Sequence, residues 1–149
     1  MALKIMGIND FMRTRRKKMA INLILFAVLY FSVSFNKEYI RPILGNTSIL
    51  GTITGSFSNF ISAYIISLFP FSSVLSSNFS LRKSRLVVYV VAVIVFILLT
   101  IEEIKPYAGA SKVYDVYDII ASGLGSILSI LTFEILVRRI TAKRGQYFE

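Results

Sequence analysis

The sequence predicts an all-α, polytopic integral membrane protein with four transmembrane helices and both chain ends on the cytoplasmic side. Three observations predict it. The 149 residues are 55% hydrophobic, with a mean hydropathy of +0.68, too apolar for a water-soluble domain of this length. The apolar residues fall into long blocks rather than alternating faces, and a bilayer core of about 30 Å takes roughly 20 such residues per helix. The basic residues gather in the hydrophilic gaps between blocks, where orientation signals sit.

The blocks follow in order. Residues 1–18 are a basic leader with RTRRKK at its end. The first span covers about 19–37, and the gap after it carries Lys37, Glu38, Arg41 and Pro42 and reads as a loop or re-entrant turn. The second span, about 53–75, is the most polar, and Pro70 kinks it or ends its regular part. Arg82, Lys83 and Arg85 fill the next gap. The third span, about 85–102, is rich in β-branched residues but continuous, whereas the strands of a membrane barrel alternate. Glu102, Glu103, Lys105 and Lys112 precede the fourth span, about 115–137, and 138–149 form a basic tail. Inside the bilayer the backbone must satisfy its own hydrogen bonds, so each block is read as a helix.

Orientation follows from the lysines and arginines. With the amino terminus inside, the leader, the middle gap and the tail hold thirteen of the 17 basic residues. Lys37, Arg41, Lys105 and Lys112 are left outside. The leader and first block also have the layout of a secretory signal peptide, with small residues at Ser32 and Ser34. The length of the apolar core and the spans that follow favour a retained helix.

Composition narrows the chemistry. Without cysteine or histidine, the chain lacks thiol chemistry, the commonest general base and the commonest transition-metal ligand. No cofactor and no metal site is expected. The net charge of +9 is explained by topology, so nucleic acid is not expected as a partner.

Charged residues near membrane depth are functional candidates. Asp115, Asp118, Ser122 and Gly125 share one helical face, and Ser129 continues it. Ala121, Gly125 and Ser129 form a small-residue ridge suited to close helix packing. In the second span Gly51, Gly55, Asn59 and Ala63 recur every four residues. An amide in lipid is costly unless bonded, so Asn59 is expected to face the bundle interior. Asn59, Glu102, Lys112, Asp115, Asp118 and Ser122 are then the candidate lining of an outward-facing polar pocket. Gly51, Gly55, Ala63, Ala121, Gly125 and Ser129 are candidate packing residues. On the other reading, Asp115 and Asp118 merely complement a helix dipole, and Glu102 and Glu103 are solvated loop residues, which is the reading favoured for Glu103. No residue is assigned as catalytic.

The segment IEEIKPYAGASKVYDVYDIIASGLGSILS, Ile101 to Ser129, resembles the VanZ-like family of small bacterial membrane proteins, named for a teicoplanin-resistance protein. The family pattern has a Glu closing one helix, a short loop with an Arg, paired acids opening the last helix, then an Asn and a Gly. Glu102 matches the Glu, Asp115 and Asp118 the acids, and Gly125 the Gly. Lys105 falls where a Gln is usual, Lys112 at the Arg and Ser122 at the Asn. Lys112 keeps the charge but loses the bidentate fork of Arg. The stretch GSFSNFISAYIISLF, Gly55 to Phe69, resembles the second helix of some members through Gly55, Asn59 and Ala63. The resemblance covers about the last two thirds of the chain. It implies a multi-pass protein of the bacterial cytoplasmic membrane with a cell-envelope role, sometimes antibiotic resistance, and supplies no reaction.

The expected partners are membrane lipids and a lipid-linked, cell-wall or glycopeptide-like ligand. A homo-oligomer or a larger membrane complex is left open. The rival functions are an enzyme using two carboxylates on a lipid headgroup, a structural subunit of a membrane complex, and an exporter. The first three blocks hold no carboxylate in their apolar interiors, which argues against the exporter.

Overall fold

A computed structural model describes residues 2–45, 48–75, 77, 79–104 and 115–145; for 2–15, 48 and 141–145 it describes the backbone path alone. The described residues are helical apart from short turns, with no strand among them. Among the described residues four helices are long and apolar enough to cross a membrane, over Arg16–Leu44, Ile49–Leu75, Leu81–Ile104 and Val116–Ile140. The chain is a four-helix, all-α protein of multi-pass membrane type.

Helix α1 (Ala2–Phe35) does not end at the polar gap. It continues through a π-helical turn, Asn36–Ile40, into a short helix α2 (Arg41–Leu44). The loop expected over this stretch is therefore corrected. Pro42 explains the geometry. In a regular helix its ring would clash with the carbonyl of the residue four positions back. In the wider turn, Arg41 donates its N–H to the carbonyl of Asn36, five residues back, and Pro42 falls at the start of α2. Lys37, Glu38 and Arg41 are exposed, so their charges reach solvent while the backbone stays helical.

Helix α3 (Ser48–Leu68) stops just before Pro70, as the sequence predicts. The Pro70 carbonyl then accepts the N–H groups of Ser73 and Val74 at 3.1 and 2.9 Å, opening α4 (Phe71–Leu75). Helix α5 (Leu81–Ile104) and helix α6 (Val116–Gly145) complete the bundle.

Helix α6 is the hub, packed most extensively on α3 and next on α5. The contacts fix the directions. Gly125 meets Phe60, Ala63 and Tyr64, and Tyr64 reaches Thr132 hydroxyl to hydroxyl at 3.3 Å, so α3 and α6 run parallel. Gly123 meets Phe96 while Arg85 meets Glu134, so α5 and α6 run antiparallel. Helix α1 lies to the side, against α3 and α4. The Asn36 amide donates to the Thr54 carbonyl at 2.8 Å, and Ser72 donates to the Asn22 side chain at 3.3 Å. Only 6% of the most apolar stretch of α1 is buried against 33% of that in α6, so α1 is the peripheral span.

One apolar core sits in the half of the bundle where α4 joins α5: Phe71, Val74, Val88, Phe133 and Val137. The Phe71 and Phe133 rings meet edge to face with centroids 5.3 Å apart. Around it α1, α3, α5 and α6 all expose leucine, isoleucine, valine and phenylalanine, as a lipid-facing belt does. Arg16, Lys17, Arg82, Lys83, Arg138 and Arg139 are all exposed at one end of the bundle, the basic end.

Candidate functional site

The acids gather at the opposite end, where α5 stops and α6 begins. Asp115 precedes α6 and caps it, its side chain accepting the Tyr117 N–H at 2.9 Å. The N–H of Asp115 itself donates to the Glu103 carboxylate at 3.2 Å. Glu103 is half-buried. It ties the end of α5 to the start of α6, where a solvated loop residue was expected. Glu102, the candidate pocket acid beside it, is exposed.

Asp118 sits in the first turn of α6. It is half-buried, and its Oδ1 is buried without a hydrogen-bond partner. One turn on, Ser122 is 2% exposed and donates to the Asp118 backbone carbonyl at 2.9 Å. Ser126 and Ser129 continue the buried face. Ser129 bonds back to the Ser126 carbonyl at 2.8 Å, and the Ser126 hydroxyl is buried without a partner, as are those of Ser56 and Ser67 on α3. The α3–α6 seam therefore combines close packing with polar atoms that the described residues do not satisfy.

The tight point of that seam is Gly125 against Ala63. A Cβ on Gly125 would press on the Phe60 carbonyl and come within 3.0 Å of both the Ala63 methyl and the Tyr64 nitrogen. This is the small-residue crossing the four-residue spacings predict. Gly55 takes no part, since a Cβ there would meet open space. Gly51 packs on the Gly45 carbonyl across the α2–α3 turn, not on α6. Towards the acidic end α3 and α6 splay, leaving a groove of about 390 Å³. Its walls are apolar, from Ile53, Phe57 and Phe60 on α3 to Tyr117, Ala121 and Leu124 on α6. Ala121 thus faces a gap rather than a tight contact.

The structure brings Asp115, Asp118 and Ser122 together with Glu103. Asn59 is half-buried, and among the described residues its side chain bonds neither Asp118 nor Glu102. Lys112 lies outside the described residues.

A second polar cluster was missed by sequence reasoning. At the basic end Glu134 of α6 accepts two hydrogen bonds from Arg85, from Nε at 2.8 Å and from Nη2 at 2.7 Å, and a third from the Tyr89 hydroxyl at 2.8 Å. The signal was present: Glu134 is a carboxylate inside an apolar block, and the antiparallel topology carries it to the level of Arg85. Among the described residues no group of three or more potential ligands could hold a metal ion. No family model, curated protein or solved structure matches the chain.

Proposed function

We propose that the chain is a VanZ-like cell-envelope protein of a bacterial cytoplasmic membrane, oriented with both ends inside. Its acidic end faces outward and binds a lipid-linked, cell-wall or glycopeptide-like ligand. Asp118 carries this reading. A carboxylate oxygen buried at the end of a span without a partner opposes folding, and ionisable groups kept at such depth mark sites of ligand or ion contact. The thirteen-to-four distribution of basic residues supports the orientation.

The neighbouring acids have other duties. Asp115 caps α6 and Glu103 holds the Asp115 N–H. That leaves Asp118, with the exposed Glu102, free to meet a ligand. The test is complementation of a deletion strain: Asp118→Asn should lose the envelope phenotype at unchanged protein level.

A further inference from the structure

We propose that the basic end carries a specific site for the headgroup of an anionic phospholipid, in the cleft between the start of α5 and the end of α6. The cleft has a volume of about 250 Å³, and Ser77, Phe79, Ser84, Phe133, Val137 and Ile140 contribute to its walls. Four cations adjoin its lining residues in sequence without lining the cleft themselves. Arg82 and Lys83 stand between Leu81 and Ser84 on the first turn of α5, and Arg138 and Arg139 between Val137 and Ile140 on α6. All four are exposed.

Among the described acids only Glu134 lies near them, where the charge of Arg138 acts on it. Glu134 is engaged by both nitrogens of the Arg85 fork and by Tyr89. The other acids with described side chains, Glu38, Glu102, Glu103, Asp115 and Asp118, lie at the opposite end of the bundle. The result is a local excess of positive charge over a cavity, which suits an anion.

The lining identifies what kind of anion. Ser84 is 7% exposed, nine-tenths buried, lines the cleft, and among the described residues its hydroxyl has no hydrogen-bond partner. It is placed to donate to a headgroup oxygen. The rest of the wall is apolar, with Phe133 and Val137 leading into the bundle core and Phe79 and Ile140 exposed at the rim. A free phosphate would use the cations and leave this apolar wall unfilled. A phospholipid uses both, its headgroup among the arginines and lysine and the top of a chain against the aromatic and aliphatic wall.

The chain has no tryptophan, so Phe79→Trp, at an exposed position, installs a single fluorescent reporter at the rim. The full chain in phosphatidylcholine nanodiscs is titrated with phosphatidylglycerol or phosphatidylcholine carrying brominated chains, which quench the indole on contact. Phosphatidylglycerol should quench saturably, at a concentration at least about tenfold lower than phosphatidylcholine. Arg82→Gln combined with Arg139→Gln should abolish that preference. Arg16→Gln, Lys17→Gln and Lys18→Gln together should leave it intact, because they remove charge from the same end but from α1, which contributes nothing to the cleft's lining. Native mass spectrometry of the chain without Phe79→Trp should show one retained phosphatidylglycerol. Equal quenching by the two lipids overturns the site. So does an equal loss in the triple variant, which would mean diffuse surface attraction, or displacement by millimolar inorganic phosphate, which would mean a free-anion site.

Discussion

Arg85 and Glu134 are joined by two near-parallel hydrogen bonds of 2.8 and 2.7 Å between α5 and α6. The Tyr89 hydroxyl donates to the same carboxylate one turn further along α5. Antiparallel helices with apolar faces can slide past each other at little cost, because lipid is as apolar as leucine. A bidentate fork fixes one register.

Register control predicts an order of effects. Tyr89→Phe should matter least, since two hydrogen bonds to Glu134 remain. Arg85→Lys should cost more, because a point charge cannot reproduce the fork. Glu134→Ala should cost most, leaving Arg85 without its partner. Reversible unfolding in mixed micelles gives the stabilities, and a cycle of Arg85→Ala, Glu134→Ala and the double variant gives the coupling. Additive losses would mean that the pair does not act as a unit.

The crossing at Gly125 predicts a contrast between two glycines. Gly125→Val places atoms against the Phe60 carbonyl and the Ala63 methyl, and neither can yield without moving a helix. A loss of about 1–3 kcal/mol or more is expected. Gly55→Ala enters open space and should be neutral or mildly stabilising through helix propensity. Equal destabilisation by the two would place the helix crossing elsewhere.

These contrasts show what was legible in the sequence. The spans were, because lipid demands continuous apolar blocks. The Ala63–Gly125 crossing was, because spacings of four residues place small side chains on facing ridges. Gly55 was misread: spacing fixes a face, but only the crossing angle decides how far along that face two helices stay close. The π-helical turn was hidden because Lys37, Glu38 and Arg41 look like a gap. At the end of a span, charge constrains where side chains go, not whether the backbone stays helical. Glu103 and Glu134 escaped because their partners lie on other helices, and the distances across helices are set by packing.

The cap at the start of α6 predicts local loosening. Asp115→Ala removes the acceptor for the Tyr117 N–H and should cost about 0.5–2 kcal/mol. Glu103→Ala frees the Asp115 N–H and should act on the same turn. Hydrogen exchange at Tyr117 and Asp118 should rise in both variants and stay unchanged near Val137. Uniform acceleration along α6 would show global rather than local loosening.

Orientation has its own test. Reporter fusions after Arg85 and after Glu149 should report cytoplasm, and a fusion within 108–112, which lies outside the described residues, should report the outer face. A cytoplasmic signal from 108–112 would reverse the bundle. The acidic end would then face inward, and the envelope-ligand reading would fall with it.

The final prediction separates structure from function at Asp118. Its unpartnered Oδ1 opposes folding, because a buried acceptor that has left water gains nothing in return. Asp118→Asn keeps the shape and removes the charge. The variant should therefore insert as well as the parent and be equally or more stable, since residues retained for function commonly oppose stability. In a deletion strain it should nevertheless lose the envelope phenotype, read as glycopeptide susceptibility or envelope stress. Glu38→Gln is the control, an exposed acid at the same end of the bundle, and should complement fully. If Asp118→Asn also complements, the carboxylate serves only the helix end and the ligand site is not there. If it destabilises the protein by more than the roughly 0.3–1 kcal/mol that a first-turn acid contributes through the helix dipole, Asp118 has a structural partner in the folded chain, and its isolation, on which the functional reading rests, is wrong.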